Sequence, residues 1–238
     1  MIKAVFFDLD GTLLYMNEEL FLKIYFDEMK LWMESHGKDA EKFIDGTIAG
    51  TRAMFRNDGS ITNEETFWNN FESVWGKASD EDKALMDSYY NVAFDKTFVS
   101  CRKNPYSKDI VRFCREEGLT VVLSTNPLFP KEETLKRMAI SDLYEEDFDL
   151  VTAYENSSFC KPNPAYFIDL MKRFNLKPNE VIVFGNNTFD DGECAIGAGL
   201  KCYIIESENL IESEKTTHSF ERIKITDVVD VIKKNLGN

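Results

Sequence analysis

Two aspartates, Asp8 and Asp10, stand two positions apart between an apolar run and the dipeptide Gly11-Thr12. In extended backbone, residues two apart point to the same side, so the two carboxylates can share one site. Carboxylates that lie close together repel each other unless a cation or a proton intervenes. Mg²⁺ is a hard cation that prefers oxygen ligands, so it suits such a place. A carboxylate there can also attack phosphorus and form an aspartyl phosphate, so the pair indicates phosphoryl-transfer chemistry.

Polar side chains also follow three other apolar runs, and their types complement the aspartates. The stretches are LSTNP, CKPNP and GNNTFDDG, which supply Thr125, Asn126, Lys161, Asn186, Asn187, Asp190 and Asp191. Attack of a carboxylate on a phosphate brings two anions together, so a metal ion and the Lys161 ammonium would neutralise charge. Thr125 and backbone N–H groups can hold the phosphoryl oxygens. A second, protonated carboxyl can donate to the leaving oxygen and afterwards activate water.

Five short apolar runs predict the strands that position these side chains: 3–7, 119–124, 148–153, 180–185 and 201–206. Each run is almost continuously apolar, which is typical of parallel strands covered on both faces. Apolar periodicity and end signals predict helices at 107–118, 130–138, 166–174 and 226–235. This alternation favours an α/β fold with a doubly wound parallel sheet. Ligands bind beyond the carboxyl ends of the strands in such sheets, so we expect the polar side chains to face one crevice.

Residues 15–100 have a different texture and contain no convincing strand. Four helices are predicted there, at 17–37, 39–56, 62–76 and 80–97. The simplest architecture inserts an all-helical module after the first strand. The predicted domains are therefore an α/β core at 1–14 and 101–238 and a helical cap at 15–100.

Charge and composition limit the classes of partner. Lys and Arg total 28 against 42 Asp and Glu, so the net charge is −14 and most of the surface repels nucleic acid and anionic membrane. A small anionic substrate can bind where local cations or a metal ion overcome this field. With two histidines in the chain, a His-based triad or metal site is disfavoured.

The cysteine pattern and the start of the chain bear on location. The five cysteines form no C-x-x-C pair and are odd in number, which indicates reduced thiols in a cytoplasmic protein. The first residues turn acidic too soon for a signal peptide. No apolar run approaches the roughly 18 residues that span a bilayer.

Taken together, the four polar stretches resemble the motifs of the haloacid dehalogenase-like (HAD) hydrolase superfamily. Its first motif, D-x-D-G-T, is matched by residues 8–12, and the Ser or Thr that ends its second strand by Thr125, with Ser124 as fallback. Its motif lysine, often in K-P-x-P, is matched by Lys161, and its acidic fourth motif is approximated by 185–191. The four motifs occur in the family's order, each at a predicted strand end, and the resemblance covers about 1–14 and 101–206.

The resemblance implies a Rossmann-like HAD core and a role for each motif residue. Asp8 is expected to be the nucleophile and Asp10 the general acid and base. The implied Mg²⁺ ligands are Asp8, the backbone carbonyl of Asp10 and a side chain of the fourth motif, which is Asn186, Asp191 or Asp190. Thr125, Asn126 and Lys161 would bind the phosphoryl group. The helical insertion would be a cap that closes over the substrate and excludes water.

One position departs from the family pattern. The first acid of the fourth motif is replaced by Asn186, and Asn187 follows it. An amide oxygen can ligate Mg²⁺ but brings no charge, so the resemblance to the family does not fix how strongly this site would bind the ion. Asp191 has the spacing of the family's second acid and ranks above Asp190 as a direct ligand or as the holder of a metal-bound water.

Several functions remain compatible with these residues. A Mg²⁺-dependent phosphatase for a small phosphorylated metabolite is the leading hypothesis, and a phosphomutase would use the same site. A dehalogenase is less favoured, because that chemistry has no use for the acid at Asp10. The pair Asn186-Asn187 is the only feature of the sequence that favours a weakly catalytic binding or regulatory protein. The oligomeric state is left open.

Two features of the insertion have alternative interpretations. Arg52 and Arg56 stand four apart, and they are interpreted as solvated or paired with acids, with a substrate-facing pair as the alternative. All three tryptophans lie in the insertion and are interpreted as its packed interior; they are Trp32, Trp68 and Trp75.

Overall fold

A parallel sheet lies at the centre of the computed structural model, which describes residues 1–237. The strands in chain order are β1 (Ala4–Phe7), β2 (Leu14–Met16), β3 (Cys101–Lys103), β4 (Thr120–Leu123), β5 (Leu150–Val151), β6 (Val181–Gly185), β7 (Lys201–Ile205) and β8 (Glu221–Ile223). The sheet has the order β5-β4-β1-β6-β7-β8, and all its pairings are parallel. The five predicted strands are all present. The edge strand β8 was not predicted, because its three residues include two charged ones.

The helices are α1 (Glu18–Ser35), α2 (Ala40–Met54), α3 (Asn63–Trp75), α4 (Asp80–Val92), α5 (Ser107–Glu116), α6 (Lys131–Ile140), α7 (Ala165–Arg173), α8 (Cys194–Gly197) and α9 (Val228–Leu236). The predicted helix at 80–97 ends earlier, and a 3₁₀ segment follows at Phe94–Ser100. Among residues 1–237, no helix combines the length and the apolar character needed to cross a membrane.

Apolar residues on both faces of β1 explain its continuous apolar run. Val5 and Phe7 pack in one cluster with α5 and α9, whereas Ala4 and Phe6 pack in a second cluster with α7 and α8. Because successive side chains of a strand point to opposite faces, a strand between two helical layers needs apolar residues at every position.

The order in which the chain adds strands to the sheet reverses at β1. From β1 the chain builds β4 and β5 on one side, and then returns to build β6, β7 and β8 on the other. Crossover helices on opposite faces part at such a point and leave a crevice beyond the carboxyl ends of the strands. The predicted doubly wound α/β fold with a helical insertion is confirmed.

The helical insertion is joined to the core by a two-stranded ribbon that was not predicted. β2 and β3 pair antiparallel, with Met16 opposite Cys101 and Leu14 opposite Lys103. Three-residue strands are too short to show a period of two, and this pairing joins residues more than 80 positions apart. The ribbon straddles the proposed limits at 14/15 and 100/101, and those domain limits stay a prediction.

Aromatic residues build the interior of the insertion. Phe21, Tyr25, Phe43 and Phe71 are buried there, and the tryptophans pack partly buried against the same cluster, as interpreted from the sequence. Helices α2 and α3 approach closely at two glycines of α2. A Cβ atom on Gly46 or Gly50 would lie 2.9 or 2.6 Å from the ring of a phenylalanine on α3. Larger residues at these positions would push the two helices apart.

A buried carboxyl group lies between α6 and the insertion. Glu133 on α6 is 2% exposed, and Lys136 Nζ contacts its Oε1 at 3.1 Å and the Tyr90 carbonyl at 3.0 Å. Burial raises the pKa of Glu133 to about 7, although Lys136 opposes this effect. The folded protein therefore holds a proton that the unfolded chain releases near pH 4.5.

We predict that Glu133→Gln stabilises the protein at alkaline pH. A raised carboxyl pKa means that stability falls as the pH rises from about 4.5 to about 7, because ionisation is easier in the unfolded chain. The amide cannot ionise, so at pH 8 the variant should gain about 2 kcal/mol, while near pH 4 the gain should vanish. Urea unfolding at both pH values measures this difference.

The matched control is Glu132→Gln, which changes the exposed neighbour on the same helix. Equal effects of the two substitutions at pH 8 would contradict the assignment of a raised pKa to Glu133.

Candidate active site

Asp8 and Asp10 leave the carboxyl end of β1 on a turn that depends on glycine. The Asp8 N–H donates to the Phe184 carbonyl on β6 at 2.9 Å, which continues the sheet by one residue. Gly11 follows with a φ of +88°, and a Cβ atom there would lie 2.1 Å from the Asn186 side-chain nitrogen. Glycine is therefore required both for the left-handed backbone and for the close approach of Asn186.

Lys161 lies between two buried carboxylates. Its Nζ contacts Asp8 Oδ1 at 2.8 Å and Asp191 Oδ1 at 2.6 Å, and its side chain is 2% exposed. Burial works against the ammonium, but Asp191 and Asp8 outweigh it and raise the pKa of Lys161 well above its ordinary value. Burial raises the pKa of Asp8 to about 8, with Lys161 opposing and Asp191 adding to the shift. A cation beside Asp8 favours its ionised form.

Asp191 also holds the loop that carries Asn186 and Asn187. Its Oδ2 accepts the backbone N–H groups of these residues at 3.1 and 3.0 Å. A Cβ atom on Gly185 would lie 2.2 Å from the same carboxyl group, so the loop can fold this tightly because residue 185 is glycine. Asp191 itself lies in a π-helical turn at Thr188–Glu193. Both oxygens of the predicted metal ligand Asp191 thus have partners within the protein.

The structure explains why residue 186 is asparagine rather than aspartate. Asn186 Nδ2 donates to the Asn209 carbonyl at 2.6 Å, and a carboxylate at this position could not donate. Thr12 Oγ1 lies 3.3 Å from Asn186 Oδ1 and 3.5 Å from Asp8 Oδ2, so these two oxygens flank one hydroxyl group. The Asn209 side chain in turn donates to the Met16 carbonyl on β2 at 2.8 Å, which ties the fourth motif to the ribbon.

Thr125 and Asn126 follow β4 and face Lys161. The Asn126 side chain accepts the Lys161 backbone N–H at 3.2 Å and donates to the Lys161 carbonyl at 3.3 Å. This reciprocal pair fixes the backbone from which the lysine extends. The Thr125 carbonyl accepts hydrogen bonds from the Tyr166 and Thr152 hydroxyls at 2.8 and 2.7 Å, which holds its buried side chain at the crevice.

One cavity of about 400 Å³ between the sheet and the insertion is lined by all the predicted site residues: Asp8, Asp10, Thr125, Asn126, Lys161, Asn186, Asn187, Asp190 and Asp191. Of the two arginines considered on the insertion, Arg52 also lines it. A second cavity of about 640 Å³ adjoins it and shares Asp10, Glu18 and Asn186. The crevice expected from the strand order therefore exists and gathers these residues.

Arg137 on α6 reaches this site and was not predicted. Its Nε lies 3.2 Å from Asp10 Oδ1, and the side chain is 1% exposed. The guanidinium lies 4.9 Å from the centre of the Phe129 ring and 5.8 Å from that of Phe21. In the sequence KEETLKRM the residue resembles the partly exposed lysines around it, and its position on the buried face beside Met138 was the one available signal.

The donor set at the crevice suits a hard divalent cation. Within residues 1–237, no three carboxylate, thiolate or imidazole side chains converge on one point, so a metal ion would also draw on amide and backbone oxygens. Asp8 Oδ2 and Asn186 Oδ1 flank the Thr12 hydroxyl and are oxygen donors of the kind that Mg²⁺ prefers. These residues fit the ion that the sequence resemblance implied.

The sheet with its helical insertion has the fold of the HAD-like hydrolases. The model of that family, haloacid dehalogenase-like hydrolase, matches residues 2–199, so the chain belongs to the family. The predicted family and the prediction of an enzyme are confirmed.

Three similar proteins have named functions. A phosphorylated carbohydrates phosphatase of Thermotoga maritima is 24% identical over 98% of this chain and 100% of its own length. A glyceraldehyde 3-phosphate phosphatase of Methanothermobacter thermautotrophicus is 26% identical over 97% of both chains. The crystal structure of an HAD phosphatase from Thermococcus onnurineus superposes with a TM-score of 0.60 at 18% identity, covering 97% of this chain and 98% of that one.

We predict that Lys161→Met destabilises the fold in a pH-dependent way. The substitution leaves Asp8 and Asp191 buried without their shared cation, which should lower the free energy of unfolding by roughly 3–5 kcal/mol at pH 8. The loss should be smaller at pH 5, because protonation of one carboxyl relieves the repulsion. Urea unfolding in EDTA at the two pH values measures both effects.

Lys172→Met, an exposed lysine on α7, is the control. A loss below about 1 kcal/mol that is the same at both pH values would show that the lysine does not compensate these carboxylates.

Proposed function

We propose that the protein is a Mg²⁺-dependent phosphatase that hydrolyses small phosphomonoesters through an aspartyl phosphate. The observation that carries this proposal is the contact of 2.8 Å between Asp8 and the buried Lys161 ammonium, both of which line a cavity beyond β1. Attack on a phosphate dianion requires a nucleophile and a cation that offsets the negative charge. The Asp8 carboxylate and the Lys161 ammonium supply these two groups. The named relatives act on phosphorylated carbohydrates and glyceraldehyde 3-phosphate, which supports a small phosphorylated metabolite as substrate.

In the proposed first step, an oxygen of Asp8 attacks phosphorus while the bond from phosphorus to the ester oxygen breaks. Lys161 neutralises the phosphoryl oxygens, and Thr125 and Asn126, which line the same cavity, bind and orient the group. Asp10 gives its proton to the leaving oxygen, so the alcohol departs neutral.

In the proposed second step, Asp10 takes a proton from a water molecule, which attacks the phosphorus of the aspartyl phosphate. The bond to Asp8 breaks, inorganic phosphate leaves, and both aspartates return to their starting states. Apolar side chains of the insertion line this cavity, and with substrate bound against them they would limit the access of other water.

In this proposal Mg²⁺ would be held by Asp8, the Asp10 backbone carbonyl and the Asn186 amide oxygen. When bound, it supplies positive charge against the phosphoryl oxygens, which also keeps Asp8 ionised. We assign Asp191 to the positioning of Lys161 and of the 186–187 backbone, because these groups already occupy both of its oxygens. Asp190, which also lines the cavity, would add negative charge near this site.

We predict that the enzyme hydrolyses p-nitrophenyl phosphate with Mg²⁺ and that Asp8→Asn lowers kcat at least about a thousandfold, because the nucleophile is lost. Asp10→Asn should lower kcat about a hundredfold or more, because Asp10 can no longer take the proton from water in the second step. Activity should disappear in EDTA and return with Mg²⁺. Release of p-nitrophenolate measures all three.

The control is Asp45→Asn, an exposed aspartate of α2, which should keep full activity. Full activity in Asp8→Asn would refute Asp8 as nucleophile. A phosphomutase would be recognised by mass balance, since it returns a phosphorylated isomer instead of inorganic phosphate. Lack of turnover, together with no Mg²⁺ binding by calorimetry, would favour a binding protein.

A further inference from the structure

The wall of the active-site cavity opposite the catalytic residues is apolar. Helices α1 and α2 and the residue that follows α2 contribute Phe21, Leu22, Tyr25, Phe26, Ile48 and Phe55. Phe67 of α3 and Phe129 after β4 extend this wall. A phosphate group bound near Lys161 would therefore direct its alcohol portion toward hydrocarbon and aromatic surface.

The hydroxyl groups of this wall have hydrogen-bond partners within the protein, which leave one O–H of the tyrosine pair free to donate. The Tyr25 and Tyr90 hydroxyls bond to each other at 3.1 Å, and Thr51 Oγ1 donates to the Thr47 carbonyl at 2.8 Å. Arg52 and Glu18 also line the cavity, and Arg52 is exposed to water. A polyhydroxylated sugar would place most of its hydroxyl groups against the apolar side chains rather than against these two charged groups, so it would lose water with few matched partners, which is unfavourable.

Two side chains of the wall are large, apolar and unusually exposed. Leu22 and Phe55 are 44% and 41% exposed. Both line the cavity, so an apolar ligand would cover surface that the folded chain leaves in water. The cavity of about 400 Å³ also has to hold the phosphoryl group, so a single ring or a short branched chain fits it.

We infer that the preferred substrates are phosphomonoesters of compact apolar or aromatic alcohols rather than of sugars. The inference rests on the proposed phosphatase function and adds the class of leaving group. It separates this chain from the relatives named for phosphorylated carbohydrates and glyceraldehyde 3-phosphate.

The test compares esters of equal intrinsic reactivity. 2-Phenylethyl phosphate and glucose 6-phosphate are both esters of primary alcohols, so the difference in kcat/KM reports binding of the alcohol portion. We expect 2-phenylethyl phosphate to be favoured about tenfold or more. Leu22→Asn should reduce this ratio about fivefold, whereas Leu31→Asn, on the same helix but outside the cavity lining and 58% exposed, should leave it unchanged.

The outcomes separate the two levels of proposal. Turnover that depends on Asp8 but favours glucose 6-phosphate, or a ratio that Leu22→Asn does not change, overturns the inference and leaves the phosphatase standing. Absence of turnover with either ester and with p-nitrophenyl phosphate overturns the phosphatase, and the inference fails with it.

A separate observation concerns Arg137. A fully buried guanidinium is costly unless an anion compensates it, and the anion nearest to it in the structure is Asp10, 3.2 Å from Nε. This contact is an ion pair rather than an aligned hydrogen bond, and within residues 1–237 Arg137 Nη1 has no hydrogen-bond partner. The rings of Phe21 and Phe129 hold the guanidinium in place.

We propose that Arg137 is a positioning residue, which orients Asp10 toward the leaving oxygen and pairs with the carboxylate that remains once the Asp10 proton has been transferred. This also rests on the proposed phosphatase. An alkoxide is a poor leaving group and needs the proton, whereas p-nitrophenolate leaves without it. Misplacing Asp10 should therefore harm alkyl esters selectively.

The test measures kcat/KM of Arg137→Met for 2-phenylethyl phosphate and p-nitrophenyl phosphate. We expect about a tenfold or larger loss with the alkyl ester and less than about threefold with the aryl ester. Arg137→Lys, which keeps the charge, should restore part of the alkyl activity and serves as the test if the methionine variant does not fold. Equal losses with both esters, or no loss, would overturn the assignment.

Discussion

The site depends on one buried ammonium between two carboxylates. Lys161 satisfies Asp8 on β1 and Asp191 in the π-helical turn after β6 at the same time, and Asn126 after β4 holds its backbone. Three strand ends are therefore fixed relative to one another by a single residue, two through its side chain and one through its backbone. Because a buried carboxylate without a counterion is strongly destabilising, the charges that chemistry requires are also the charges that hold the crevice together.

The fourth motif shows how a neutral side chain can be built into an acidic site. Asn186 donates to a carbonyl and presents its oxygen beside Asp8, while Gly11 makes room for it. The charge that an aspartate would bring is absent at this position, and Asp191 supplies charge one turn later. The partners of Asp191 are Lys161 and the backbone N–H groups of residues 186 and 187. Asp191 therefore holds the lysine ammonium beside Asp8.

The sequence was informative where chemistry and periodicity coincide. Continuous apolar runs predicted five of the six strands of the parallel sheet, and residues at their ends predicted the members of the crevice. Arg137 and Glu133 could not be recognised, since buried charges on α6 look like surface charges until their neighbours are known. The β2–β3 ribbon was missed because three-residue strands carry no periodic signal. The apolar wall of the cavity was also invisible, because the same residues on α1 can face the interior of the insertion or the cavity.

The β2–β3 ribbon lets the helical insertion vary independently of the sheet. Met16 and Cys101 are paired, so the two ends of the insertion meet at adjacent strands, which lie about 5 Å apart. For the core, the whole insertion is topologically a long loop, and loop closure depends only weakly on length, at about 0.6 kcal/mol for each doubling. Helices can be exchanged, lengthened or deleted between these two anchor points without altering the register of the parallel sheet. The insertion, which lines the substrate cavity, can thus diverge in sequence while the sheet that carries the catalytic residues stays the same.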